Sequence, residues 1–255
     1  MRIATWNVNS IGARLPRLLP WLEQQQPDVV ALQETKCADS AFPHADLRAV
    51  GYEAAHAGDG RWNGVAVLSR VGLDDVSLVH EGHPEPRLVS AQCGPLHVTS
   101  VYVPNGRSLD DPHYAYKLEW FAALRARLDT YDLSRPTVVM GDFNVALTDE
   151  DVWDLGQFAG STHVSQPERD AMQALLDAGL EVTDARPGKG DVAFTFWDYR
   201  AGMMHKNLGM KIDYILRTPG VPVRDAWVDR EARKGTGASD HAPVVADLDL
   251  EVSPR

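Results

Sequence analysis

The sequence predicts a single α/β domain, and three observations predict it. The chain of 255 residues is long enough for one large core. Strand-like runs punctuate its whole length, with helical patterns between some of them and no linker, low-complexity tract or fixed-period repeat to divide it. Runs such as VVAL and TVVM have no polar face, as expected of strands covered on both sides. One sheet, or two packed together with helices outside, would accommodate this many strands.

The elements follow in order. RIATWNVN (2–9) reads as the first strand. The 14–26 stretch carries Leu15, Leu18, Leu19 and Leu22 at helical spacing, with Pro20 placed to start or kink the helix. DVVALQE (28–34), GVAVLSR (64–70) and LHVTSVYV (96–103) read as strands. From 113 to 129, Leu118, Phe121, Leu124 and Leu128 form one apolar stripe of a helix. TVVMGDFN (137–144) is strand-like. A third helix is expected over 167–178, because Pro167 suits a first turn and Gly179 the left-handed position past the end. KIDYILR (211–217) and APVVADLDL (242–250) close the series. In the last, Val244, Ala246, Leu248 and Leu250 alternate with Val245, Asp247 and Asp249, the signature of a half-buried strand.

Composition narrows the function. Apolar residues make up 44% and charged residues 24%, the profile of a soluble globular protein. No apolar run approaches the roughly 18–20 residues of a membrane helix. The start, MRIATWNVNS, has no secretory pattern. Cys37 and Cys93 are the only cysteines, so a reducing cytoplasm is expected and a disulfide framework is not. The net charge of -11 speaks against a broadly basic nucleic-acid surface. A nuclease, however, needs only a local one, and metal-binding carboxylates themselves add negative charge. Two basic clusters are candidates: Arg200, His205, Lys206 and Lys211, then Arg230, Arg233 and Lys234. No GxxxxGK[ST] loop is present, which argues against nucleotide-driven transfer.

Polar residues recur at the ends of apolar strands. The first strand delivers Asn7 and Asn9, and VVALQE delivers Glu34. TSVYVPNG delivers Tyr102 and Asn105, and TVVMGDFN delivers Asp142 and Asn144. Asp213 lies between Ile212 and Tyr214, and SDHAPV carries Asp240 and His241. Active sites of layered α/β proteins collect at such ends. Buried Asp213 needs a partner, and His241 offers one: an Asp–His hydrogen bond neutralises the acid and fixes the imidazole tautomer. Hard oxygen ligands without Cys/His zinc spacing suit Mg²⁺ or Mn²⁺, with Glu34 supplying a carboxylate and Asn9 or Asp240 near it. The set suits phosphate-ester hydrolysis, in which a metal and an imidazole stabilise phosphoryl charge while an acid activates water.

WNVNS, LQETK, YVPNG, GDFN, FTFWDYR, KIDYIL and SDHAPV, in this order and spacing, resemble the exonuclease III family of abasic-site endonucleases, within the endonuclease/exonuclease/phosphatase superfamily. The resemblance covers nearly the whole chain, 1–255 being a single domain. It implies a four-layered α/β sandwich, two packed mixed β-sheets flanked by helices. It also implies Mg²⁺-dependent cleavage of duplex DNA 5′ to abasic sites, with 3′→5′ exonuclease and 3′-phosphatase or phosphodiesterase action on blocked 3′ ends. By that resemblance Glu34 holds the metal with Asn9 and Asp240 near it. Asn7 and Asn144 orient the phosphate and Asp142, and Asp142 positions or deprotonates the attacking water. His241, oriented by Asp213, contacts the phosphate, and Tyr102 assists the leaving group. Arg87 and Asn105 approach the DNA. Phe196, Trp197, Met210 and Ile212 match the pocket region for a flipped abasic sugar. Some members have Trp at the position of Met210 and Asp at that of Asn9. Tyr102 separates this branch from relatives acting on lipid and inositol phosphates, which usually carry His there. The implied protein is a cytoplasmic monomer with no membrane partner. The alternatives are a phosphoesterase of the same superfamily acting on a non-DNA phosphate ester, and a non-catalytic DNA-binding module that keeps the fold.

Overall fold

The computed structural model describes residues 1–78 and 80–252. The strands are β1 (Arg2–Asn7), β2 (Val29–Gln33), β3 (Glu53–Ala57), β4 (Val65–Ser69), β5 (Asp74–Ser77), β6 (Leu88–Cys93), β7 (Leu96–Tyr102), β8 (Thr137–Asp142), β9 (Glu181–Val182), β10 (Asp213–Arg217), β11 (Val223–Val228) and β12 (Val244–Leu248). The α-helices are α1 (Ile11–Gln25), α2 (His44–Ala49), α3 (Pro112–Leu128), α4 (Leu155–Phe158), α5 (Gln166–Asp177) and α6 (Met203–Lys206).

The strands form two six-stranded sheets, in the orders β11-β12-β1-β2-β4-β3 and β5-β6-β7-β8-β10-β9. Each is mixed in the same way: one parallel pair, β1 with β2 and β7 with β8, lies at the centre with antiparallel neighbours on both sides. The two sheets share a core that includes Ile3, Val29, Val67, Val98, Met140, Ile215 and Val244. Outside the first sheet, Leu18, Trp21 and Leu22 of α1 pack on Ala4, Val30 and Leu32. Outside the second, Trp120, Phe121 and Leu124 of α3 and Met172 and Leu175 of α5 pack on Val101 and Val139. Helix, sheet, sheet, helix make four layers, the architecture the family resemblance implies.

Helix bounds shift in instructive ways. The first helix starts at Ile11, three residues before the periodic pattern, because Ser10 caps it through Ala13 N at 3.4 Å. Pro20 does not break it: Pro16 and Pro20 both lie on its exposed face. On α3 the buried stripe contains Lys117 and Trp120, while Leu118 is half-buried. β3, β5, β6, β9 and β11 were not legible as strands. β5, for example, is DDVS, polar and largely exposed at a sheet edge, where periodicity carries no signal.

This topology gathers the strand-end polar residues. Parallel β1 and β2 end together, Asn7 opposite Gln33, and parallel β7 and β8 end together, Tyr102 opposite Asp142. β10 runs antiparallel to β8 and begins there, so Asp213 sits opposite Asp142. β12 runs antiparallel to β1, which brings the preceding Asp240 and His241 to the same edge. Beneath that edge a buried polar contact bridges the sheets, Gln33 Nε2 donating to Ser100 Oγ at 3.2 Å.

Candidate active site

Asp142 is the hub. It ends β8, fully enclosed, directly after Gly141, whose φ is +157°. A Cβ at Gly141 would stand 1.9 Å from the Val101 carbonyl oxygen, so only glycine lets β8 approach β7 this closely. Asp142 Oδ1 accepts from Asn144 N at 2.9 Å, and Oδ2 accepts from Asn7 Nδ2 at 2.9 Å. The same Asn7 amide donates to Glu34 Oε1 at 2.8 Å, tying the two carboxylates together. Burial, then the Asp213 charge, then Glu34 push the Asp142 carboxyl up to about 7, against the pull of His241.

His241 is the counterweight. Its Nδ1 lies 2.8 Å from Asp213 Oδ2 and its Nε2 3.8 Å from Asp142 Oδ2. Thr195 Oγ donates to the same Asp213 Oδ2 at 2.6 Å. Burial opposes a charge on His241, but Asp213, Asp142 and Asp240 outweigh it and raise the imidazole to about 10. The ring is therefore a cation at neutral pH, with Nε2–H turned into the crevice. Phe196 covers its flank at 4.9 Å between centroids, and Trp6 Nε1 donates to its backbone carbonyl at 3.1 Å.

On the first sheet's side, Lys36 Nζ contacts Glu34 Oε2 and Asn9 Oδ1, each at 2.6 Å, and Asn9 Nδ2 donates to Asp240 Oδ1 at 3.0 Å. Burial alone would raise Glu34, yet Lys36 and the Asn7 amide hold it below its ordinary value. Glu34, Asp142 and His241 each offer a ligand atom within 4.8 Å of the others. With His241 protonated, the carboxylates of Glu34 and Asp142 are where a hard divalent cation fits, and Asp240 connects to Glu34 through Asn9 and Lys36. On the second sheet's side, burial and then the Glu34 and Asp142 charges push the Tyr102 phenol far above its usual range, so it remains a proton donor.

The predicted residues do not all share this crevice. Arg87 is 7% exposed and turns inward, bonding Glu85 and the Tyr102 carbonyl, its guanidinium 4.7 Å from the Tyr102 ring centroid. Phe196 and Met210 pair backbones and pack with Ala146, Val152 and Ile212 beside the site. Trp197, the next residue, points the other way into the core between the sheets, as strand alternation requires. Among the basic clusters, Arg230 and Arg233 are buried against Trp197 and Tyr199 respectively, while Arg200 is exposed.

Sequence reasoning missed an inner support. Asn105 Nδ2 donates to Asn144 Oδ1 at 3.2 Å and lies 3.1 Å from His163 Nε2. Burial and Lys117 bring His163 down to about 4, so it is neutral, and its Nε2 also lies 3.2 Å from Asn144 Oδ1. Beneath, Lys117 forms a fully buried ion pair with Glu168 and donates to the Asn144 carbonyl at 2.6 Å. Glu168 also closes the Ser165 capping box of α5, so one carboxylate fixes a helix start and a catalytic loop. A lone loop histidine such as His163 carries no sequence signal. Lys117 carried one, since it stands four residues before Phe121 on the apolar stripe. Beside this support a cleft of about 380 Å³ is lined by Trp62, Asn63, Arg87, Tyr102, Asn105 and Arg107.

The profile of the Endonuclease/Exonuclease/phosphatase family matches residues 4–241. The exodeoxyribonuclease III of Haemophilus influenzae is 31% identical, over 97% of this chain and 100% of the relative. A solved AP endonuclease from Archaeoglobus fulgidus superposes with a TM-score of 0.92 at 34% identity, covering 98% of this chain and 100% of that one. The 3′ phosphatase NExo from Neisseria, solved with a product DNA hairpin, gives 0.92 at 37% identity with the same coverage.

Proposed function

The chain belongs to the endonuclease/exonuclease/phosphatase family, and from that premise we propose that it is a DNA-repair nuclease. It hydrolyses phosphodiesters of duplex DNA 5′ to abasic sites and clears blocked 3′ ends. The observation that carries the reading is the pairing, across 3.8 Å of one crevice, of a carboxyl raised to about 7, Asp142, with an imidazole raised to about 10, His241. The relatives named above act on DNA or are named for it, which favours DNA over another phosphate ester.

In this reading the scissile phosphate sits between the two sheets' edges. His241 Nε2–H donates to a non-bridging phosphoryl oxygen, and Asp213 keeps that proton on the outer nitrogen's side of the ring by holding Nδ1–H. Asp142 accepts a proton from water as the water oxygen bonds to phosphorus and the bond to the 3′-oxygen breaks. The Tyr102 hydroxyl is the donor facing the departing oxygen. Asn7, Asn105 and Asn144 keep Asp142 and the phosphate in register. Glu34, with Asp142 and with Asn9 and Asp240 behind, would hold Mg²⁺, or Mn²⁺ in its place, which when bound would neutralise phosphoryl charge. All these groups come from one chain, which supports a monomer as the active unit.

The test is a side-by-side assay on duplexes carrying an abasic analogue, a 3′-phosphate or a blunt end, with Mg²⁺ and with chelator. Metal-dependent turnover of at least one is expected. Turnover of inositol phosphates with none on DNA would overturn the reading.

A further inference from the structure

Glu34 stands on an unusual piece of backbone. Its φ is 51° and that of Lys36 is 49°, so two non-glycine residues flanking Thr35 are left-handed. Such conformations persist only where the surroundings hold them. Backbone bonds supply part of the grip: Ser10 N to Glu34 O at 2.7 Å, Ile11 N to Thr35 O at 2.9 Å, Thr35 N to Gly64 O at 3.1 Å and Lys36 N to Asn63 O at 3.0 Å. One side chain grips the turn from inside. Thr35, wholly buried, places its Oγ 2.8 Å from His56 Nε2. The space is cut to that hydroxyl: a Cβ on Gly64, whose φ is +89°, would stand 2.1 Å from it.

His56 is itself immobilised. It is 6% exposed, and its ring stacks on Phe42 at 4.0 Å between centroids and 23° between planes. Its Nδ1 lies 2.8 Å from Asp39 Oδ1, off the line of a good hydrogen bond. That oxygen also accepts from Gly58 N at 2.9 Å. A neutral ring with its proton on Nδ1 facing Asp39 leaves Nε2 free to accept from the Thr35 hydroxyl. Cys37 Sγ is 3.9 Å from the same Nε2, too far to displace the hydroxyl. The Asp–His–hydroxyl order is that of a nucleophilic triad, but Thr35 has no exposed surface and cannot meet a substrate.

We propose that Asp39, His56 and Thr35 form a positioning relay that holds the left-handed turn at 34–36 and thereby sets Glu34 for a divalent cation. The inference rests on the reading of Glu34 as the metal carboxylate. Relays of this kind behind metal ligands change affinity by about 10–100-fold when broken. The experiment titrates Mn²⁺ against the full chain without DNA, reading free Mn²⁺ by electron paramagnetic resonance, with the folded state checked by circular dichroism. Thr35→Val and His56→Phe, which keeps the stack on Phe42, are expected to weaken Mn²⁺ about tenfold. Thr35→Ser, which restores the hydroxyl, is expected to bind as the parent does. Parent-like affinity in folded Thr35→Val would overturn the relay. Should His56→Phe not fold, the contrast of Val with Ser at position 35 still decides. Glu34→Gln separates the two readings. If it leaves Mn²⁺ binding intact, the metal assignment fails on its own account. If it abolishes binding while Thr35→Val does not weaken it, only the relay fails.

Discussion

Two histidines in this protein each hold an aspartate oxygen 2.8 Å from Nδ1, and they end in opposite protonation states. His241 with Asp213 is raised to about 10, while His56 with Asp39 is lowered to about 4. Both rings are buried, so burial pushes both down. The aspartates differ. The Asp213 side chain is 1% exposed and Asp142 and Asp240 add to its field, whereas the Asp39 side chain is 64% exposed and stands alone. Water screens the second carboxylate and leaves the first at nearly full strength. The distance between an acid and an imidazole therefore does not assign the proton; the burial of the acid and its company do. One site becomes a cation able to bind phosphate, the other a neutral acceptor able to hold a hydroxyl.

The largest expected effect comes from removing the buried acid's influence. Asp213→Asn should drop the His241 pKa from about 10 to below its ordinary 6.5, read by NMR titration of the ring. His241→Ala should lower kcat on abasic duplex by roughly 10²–10³-fold, the usual loss of one preorganised donor. An unmoved ring in Asp213→Asn would break the comparison. Next comes another buried carboxylate, Glu168. Lys117→Met leaves Glu168 unpaired in the interior and should cost about 3–5 kcal/mol in urea unfolding.

Stability against pH gives a third test, in metal-free buffer. Burial lowers His56, His80 and His163 to about 4, below their unfolded value of 6.5. Their stabilisation is complete above pH 6.5 and is lost as pH falls towards 4, on the order of several kcal/mol in sum. His241 runs the other way. Its stabilisation is complete below pH 6.5 and is lost as pH rises through about 10. Thermal melts across pH should fall at both ends, and Asp213→Asn should abolish the alkaline contribution and add His241 to the groups that destabilise at acid pH. The smallest effect belongs to the exposed acid: Asp39→Asn should change the melting midpoint by less than the equivalent of about 1 kcal/mol.

Much of the crevice was legible because its members are polar residues set against apolar strands. Asp213 between Ile212 and Tyr214 demanded a partner, and His241 is that partner. Asn7, Glu34, Asp142 and Asn144 meet as their strand-end positions suggested. Trp197 was grouped with Phe196, yet neighbours on an extended segment face opposite ways, and it lies in the inter-sheet core. Arg87 reads as a free cation in a string of letters but is folded onto Tyr102 and Glu85. His56 and His163 were silent because the partners that fix them are 17 to 58 positions away, and Lys117, though visible on the apolar stripe, gave no hint of Glu168, 51 positions on.

Sequence alone determined the class of fold, the family and the chemical inventory, because strand alternation and the order of short motifs are local properties of the chain. Tertiary structure decided which of two candidate sheet arrangements forms and which residue carries which proton. Those depend on the field and solvent exposure at each group, and these exist only once two sheets have closed over one another. His241 and His56 make the point: nothing beside either in the chain distinguishes a cation near pH 10 from a base near pH 4, and the enclosure of one aspartate against the exposure of the other does.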